Sequence, residues 1–268
     1  MEDGATPSAT VQVDAVYKSF SVDGRREPVL AGVNLAAGVG EFVSIIGPSG
    51  CGKSTLLNII AGLDQPDAGT VEVEGEPATQ RLGRTGYMQQ KDLLLPWRTV
   101  LDNAALGLEL QGVPRRQARR RALQLTGLFG LKGYEKQYPF ALSGGMRQRA
   151  AFLRTMLLDQ GVVLLDEPFG ALDALTRVQM QEWLMELWGA LGRTIILITH
   201  DVDEAILLSD RIYVLTARPG RTKAVIEVDL PRPRSYRATT EPSFNRLKAD
   251  LLASLREETS QFGELPWP

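Results

Sequence analysis

The sequence predicts an α/β fold built on a mostly parallel sheet. Two buried strand patterns, Val162–Asp166 and Thr194–Thr199, flank an amphipathic helix at Ala174–Leu191, as strand–helix–strand units do. A third apolar run, Glu41–Gly47, leads through a glycine-rich turn into another helical pattern. With 44% hydrophobic and 23% charged residues, the 268-residue chain has the composition of a globular protein.

The elements follow in order. Residues 1–9 read as a loose tail, acidic and rich in small residues, with no basic and apolar segments of a signal peptide. Thr10–Val16 alternates apolar and polar residues, as a half-buried strand does. Gly38–Gly40 is a turn before the β-branched run Glu41–Gly47. A helix is predicted from Lys53 to about Ala61, and Thr70–Val73 and Thr85–Gln89 are short strands. From Thr99 to Leu157 the pattern is helical, which predicts a helical subdomain over about residues 91–158. Pro114 starts a helix whose outer face carries Arg115, Arg116, Arg119, Arg120 and Arg121, read as a solvated face or as one facing anionic lipid. Met180, Leu184, Leu187 and Leu191 recur at helical spacing. After a strand at Arg211–Thr216, Pro231–Arg234 reads as a linker, and residues 235–268 as an extension with an amphipathic helix marked by Phe244, Leu247, Leu251 and Leu255.

Several function classes are excluded or disfavoured. A net charge of −2 argues against a general nucleic-acid binder. One cysteine rules out a disulfide framework and fits a reducing compartment. No apolar run approaches the roughly 20 residues of a membrane helix. The chain is expected in the cytosol, with any membrane role supplied by a partner.

Three motifs carry chemistry. Gly47, Pro48, Ser49, Gly50, Cys51, Gly52, Lys53 and Ser54 fit GxxxxGK[ST], with Thr55 next on the helix. A strand that ends in glycine lets the backbone curl, so that successive N–H groups and a helix N-terminus face phosphate oxygens. Lys53 is expected on the β- and γ-phosphates of ATP and Ser54 on Mg²⁺. Cys51, inside the loop, is read as a small tolerated residue in preference to a reactive thiol. The strand Val162–Asp166 ends in Asp166 and Glu167. Asp166 is expected to hold Mg²⁺, directly or through water, and Glu167 to polarise the attacking water. Finally, Ser143, Gly144 and Gly145 open a helix, which aims free backbone N–H groups at an anion.

Leu142–Arg149 (LSGGMRQR) resembles the LSGGQ signature of ABC ATPases, with Met146 in place of the usual glutamine. The resemblance covers Val11 to Arg234 and gives the expected domain as residues 10–234. It implies a P-loop ABC ATPase fold, with an antiparallel β portion at the N-terminus and an inserted helical subdomain. It implies that the signature binds the γ-phosphate held by a second chain, a copy or a paralogue, so that two chains sandwich two ATP molecules. Gln90 resembles the Q-loop glutamine on Mg²⁺ and the attacking water, with Gln89 its rival. Phe169–Asp173 resembles the D-loop that crosses the dimer interface, which brings Asp173 to the nucleotide. His200, the one histidine, resembles the H-loop residue on the γ-phosphate. Phe20 stands where an aromatic stacks on adenine, with Tyr17 its rival.

The segments Leu94–Asn103, Arg218–Arg221 and Pro231–Arg234 resemble the nitrate/sulfonate/taurine importer group, whose relatives carry bicarbonate or thiamine precursors. That implies an ATPase on the cytoplasmic face of a bacterial membrane, coupled to an integral permease and, through it, to a periplasmic or lipid-anchored solute-binding protein. Leu93–Trp97 is expected to receive a helix of the permease, or else to pack as core. The competing classes are an ABC ATPase acting on nucleic acid or ribosomes, an exporter-type ATPase, and a P-loop kinase.

Overall fold

The computed structural model describes residues 9–76, 82–170 and 172–259. Of the expected tail at residues 1–9, residues 1–8 lie outside them, as does the end of the extension, and Ala9 opens the first strand.

Two sheets meet across an apolar layer. A long hairpin of β1 (Ala9–Val22) and β2 (Arg25–Gly38), with β4 (Ala68–Val73), makes an antiparallel sheet in the order β2-β1-β4. The six-stranded sheet runs β5-β6-β7-β3-β8-β9, from β3 (Phe42–Ile46), β5 (Thr85–Met88), β6 (Val162–Asp166), β7 (Thr194–Ile198), β8 (Arg211–Leu215) and β9 (Thr222–Glu227). All its pairings are parallel except β8 with β9. Every residue of β3, β6 and β7 is buried, as parallel strands covered on both faces require.

Helix α1 (Lys53–Ile60) packs between the sheets, where Leu56, Leu57, Ile59 and Ile60 join Val11, Val13, Val43 and Ile45. The other face of the parallel sheet carries α5 (Ala174–Leu191), through Met180, Leu184 and Leu187. Between β5 and β6 the chain forms α2 (Val100–Leu110), α3 (Arg115–Leu125) and α4 (Gly144–Met156). Helices α6 (Val202–Leu208) and α7 (Pro242–Thr259) close the far edge, where Phe244 and Leu251 are fully buried.

The structure corrects four readings. The first strand does not stop at Val16: it turns at Asp23 and Gly24, both at positive φ as a tight hairpin needs, and returns as β2. Register shifts between Val13 and Val16, with Ala15 at φ 45°, interrupt the alternation and hide the continuation. Helix α6 and strand β9 were not expected at all.

Pro231–Arg234 is not a linker. Arg234 is 6% exposed, and its guanidinium donates to the carbonyls of Ile206, Leu207, Ser209, Val228 and Leu230. Arg232 pairs with Asp210 and lies over the Trp188 ring. Nor is the arginine face of α3 uniformly solvated. Arg115 and Arg119 both pair with buried Asp102 of α2. Burial raises the Asp102 pKa, but the Thr99 hydroxyl and the two arginines outweigh it and hold the carboxyl below its ordinary value.

Candidate nucleotide site

In a parallel sheet, ligands gather at the carboxyl ends of the strands, and four ends converge here. Asp166 lies opposite Ile198, and Ile198 opposite Ile45, so β6, β7 and β3 end level with one another. Glu167, Thr199, His200 and Gly47 therefore emerge side by side. On the flank, Met88 pairs with Leu165, which sets Gln90 beyond the end of β5.

The turn after β3 is the candidate phosphate cradle. Gly52 caps α1 at φ 104°, in space closed by Val29 and Leu30, where a Cβ would fall 2.6 Å from a Leu30 methyl. No side chain caps this helix and no acid sits in its first turn, so its leading N–H groups face outward with the positive end of the dipole. Lys53 is buried, its ammonium donating to the carbonyls of Gly47 (2.8 Å) and Pro48 (2.9 Å). Cys51 is wholly buried, and burial pushes its thiol pKa up, which leaves it a packing residue.

Asp166 meets the Ser54 hydroxyl. Burial, aided by Glu167, raises its pKa against the opposing pull of Ser54 and Lys53. Glu167 holds φ 46°, a left-handed conformation that costs a non-glycine residue energy and is concentrated at functional sites. Its peptide N–H donates to Ile198 O at 2.9 Å. One carboxylate oxygen accepts from the Gln90 amide at 3.0 Å and lies 3.5 Å from His200 Nδ1.

Lys53, Ser54, Gln90, Glu167 and His200 line one open cavity of about 670 Å³, with Phe20, Val22, Val29, Gly47, Ser49, Gly50, Gly52, Thr55 and Arg218. Phe20 rather than Tyr17 reaches it. Tyr17 instead covers Gly32, its hydroxyl 3.0 Å from where a Cβ would stand. Likewise Gln90, not Gln89, meets Glu167. The donor set suits a hard cation: the Ser54 hydroxyl, the Asp166 carboxylate and the Gln90 carbonyl oxygen, whose amide nitrogen is spent on Glu167. Among the described residues no group of three His, Cys, Asp or Glu forms a metal cage, so such a cation would also need phosphate oxygens.

Ser143, Gly144, Gly145 and Asp173 do not line this cavity. Ser143 caps α4, its hydroxyl accepting from Met146 N at 3.3 Å. With no acid in its first turn, α4 presents a second positive helix end. Asp173 caps α5 by accepting from Thr176 N at 3.0 Å, a bond that lowers its pKa. Ala171, inside the segment Phe169–Asp173, lies outside the described residues.

One chain thus carries a complete phosphate cradle and, apart from it, a separate anion-facing helix end. Residues 30–170 match the ABC transporter family. The chain belongs to the ABC transporter family. It is 45% identical to the aliphatic sulfonates import ATP-binding protein of Bacillus cereus, over 91% of this chain and 94% of that one. It is 44% identical to the formylaminopyrimidine import ATP-binding protein of Halalkalibacterium halodurans, over 92% and 96%. A dimeric ATP-binding cassette, solved in a post-hydrolysis state with ADP and Pi, superposes with a TM-score of 0.73 at 31% identity, over 82% of this chain and all of that one. This protein is accordingly an ABC ATPase.

Two features of the ABC site escaped the sequence. Arg218 enters the cavity from the loop after β8, where the sequence marked a group resemblance but no contact with the site. A polar network also braces His200. Thr199 donates to Glu204 at 2.7 Å, Asp201 N donates to Thr199 Oγ1, and Arg177 joins Asp201 (3.7 Å) to the Leu172 carbonyl (3.1 Å). The helix pattern at Val202–Leu208 was its available clue.

Proposed function

We propose that this ABC ATPase binds ATP with Mg²⁺ in the cavity between Phe20 and His200, pairs head-to-tail with a second copy, and energises an importer of a small solute. The carrying observation is the convergence of Lys53, Ser54, Glu167, Gln90 and His200 in one cavity, with Asp166 against the Ser54 hydroxyl, while the signature end of α4 lies outside that cavity.

Each residue's part follows from its position. The N–H groups of Gly50, Gly52, Lys53, Ser54 and Thr55 are set to hold the phosphates, and Lys53 to exchange its loop carbonyls for phosphate oxygens. Ser54, Asp166 and Gln90 would hold Mg²⁺, which supplies charge neutralisation at the phosphates. Glu167 is the base: it takes up the proton of the attacking water, and Gln90 and His200 fix its carboxylate. His200 and the partner's signature helix then offset charge on the leaving phosphate. Closure of two chains completes the site and excludes water.

Coupling to a membrane permease is supported by the loop after Gln90. Leu93 and Trp97 are 50% and 71% exposed, so they do not pack as core, whereas Leu94 does. The loop is nonetheless rigidly held. Buried Asn103 bonds Leu95, Arg98 and Thr99, and Arg154 of α4 donates to the carbonyls of Asp92 and Leu93. Among the described residues no helix is long and apolar enough to cross a membrane, so the transport path belongs to a partner. The names of the relatives point to a sulfonate, taurine or thiamine-precursor class of cargo. On this reading a separate solute-binding protein delivers the cargo and the ATPase works at the cytoplasmic face.

The test is affinity capture of tagged Glu167→Gln from native membranes with ATP and Mg²⁺. The variant should bind ATP, accumulate as a dimer and lose at least about 100-fold in turnover. A multi-spanning permease should come with it. Wild-type turnover would remove Glu167 from its role, and capture of ribosomal or DNA-bound proteins with no membrane protein would sink the transporter reading.

A further inference from the structure

Arg218–Arg221 drew attention in the sequence, and the catalytic reading leaves it unused. In the fold this segment is zipped onto β2 beside the phosphate cradle. Gly220 N donates to Val29 O and Ala31 N to Gly220 O, both at 2.9 Å. Gly220 lies so close to the cradle that a Cβ there would stand 2.2 Å from the Cys51 carbonyl oxygen. Arg218 is thereby fixed at the cavity wall that also holds Phe20, Val22 and Val29.

Its side chain is fixed as well. Nε donates to Pro28 O at 3.1 Å, and one Nη donates to Glu27 at 3.0 Å. Glu27 is the residue directly opposite Phe20 in the β1–β2 ladder, and opposite residues project from one face of a sheet. Glu27 therefore delivers the guanidinium to the neighbourhood of the Phe20 ring. Lys18 sits over that ring at 5.2 Å and is itself held by Asp64 and the Gln65 carbonyl. With Nε and one Nη of Arg218 tied to β2, its flat π-face and the other Nη are left for a ligand. A guanidinium plane stacks on flat π-systems, whereas an ammonium does not.

We propose that Arg218, oriented by Glu27, is a second nucleobase-binding residue, which packs its guanidinium plane on the base that Phe20 receives. The inference rests on the ATP reading and deepens it. It assigns base recognition to two elements far apart in sequence, while the phosphate cradle remains indifferent to the base.

Calorimetric titration of the full chain with ATP·Mg, and separately with inorganic tripolyphosphate·Mg, tests it. Arg218→Ala should weaken ATP binding about tenfold, a typical loss for one stacking partner, and leave tripolyphosphate binding unchanged. Arg218→Lys should lose as much as Arg218→Ala, because it keeps the charge and discards the plane. Unchanged ATP affinity in Arg218→Ala overturns the proposal. So does wild-type affinity in Arg218→Lys. An equal loss for tripolyphosphate overturns it too, by showing that Arg218 acts through the cradle. A wild-type chain that binds tripolyphosphate but shows no gain from adenosine refutes the base subsite alone. One that binds neither refutes the ATP reading and this proposal together.

Discussion

Replacement of Glu204 by glutamine should change how stability depends on pH. Glu204 is 5% exposed, one carboxyl oxygen accepting from Thr199 at 2.7 Å and the other buried without a partner. Burial, with Asp201 and Glu167, outweighs Thr199 and Arg177 and pushes its pKa from 4.5 up to about 8. An acid raised in this way is protonated when folded and ionised when unfolded throughout that window. Its contribution to stability is full below pH 4.5 and is lost as pH rises through 8. At about 1.4 kcal/mol per pH unit, the whole loss is on the order of 5 kcal/mol. Glu204→Gln stays neutral and keeps an acceptor for Thr199. Urea unfolding at pH 6, 7, 8 and 9 reads the effect. The wild type should lose about 1 kcal/mol more per pH unit than the variant between pH 6 and 8, and the variant should be the more stable at pH 9. Other titrating groups cancel in the difference between the two proteins. Parallel curves would refute the argument.

Three further outcomes are expected. Phe20→Ala should weaken ATP binding by about 1–3 kcal/mol, the usual worth of one stacked base, whereas Tyr17→Ala should leave it near the wild-type value by calorimetry. Arg234, still protonated at neutral pH although burial lowers its pKa to about 10, holds five backbone carbonyls. Arg234→Met should cost about 3–5 kcal/mol in urea unfolding at unchanged slope. Cys51 should resist iodoacetamide in the folded chain at pH 8, since it is buried with a raised pKa, and react at once in denaturant; mass spectrometry counts the adducts, and rapid labelling of the folded chain would show the loop to be open.

What the sequence disclosed follows the burial of each element. Strands β3, β6 and β7 are covered on both faces and so read as continuous apolar runs. Helix α5 has the bounds its pattern predicted, since Asp173 caps one end and Gly192, at φ 60°, the other. The hairpin was half hidden: bulges break the alternation of β1, and β2 begins with four exposed residues, Arg25–Pro28. Pro231–Arg234 has a linker's composition, and only tertiary packing supplies the carbonyls that bury Arg234. The choice between Gln89 and Gln90 depends on where β5 ends against β6, a fact of register that no single strand contains. Arg218 meets Glu27 across 191 positions of sequence, beyond the reach of any local pattern.

The geometry also says why such an ATPase should work in pairs. Within one chain the cavity is walled by the cradle, Glu167, Gln90 and His200, and its remaining side is open. On the proposed reading a γ-phosphate there meets one positive helix end, α1, while the other end without an acid in its first turn, α4, lies outside the same cavity. On that reading a second copy turned head-to-tail would bring its α4 to the open side, and the same operation would close the reciprocal site. The segment from Gln90 to Trp97 touches both Glu167 and α4. Gln90 grips Glu167 at 3.0 Å, while Asp92 and Leu93 are held by Arg147 and Arg154 of α4 at 2.6 to 3.2 Å. If, as proposed, α4 moves toward a partner's nucleotide, the loop that presents Leu93 and Trp97 should move with it, and a membrane subunit seated on those side chains should feel the occupancy of the site.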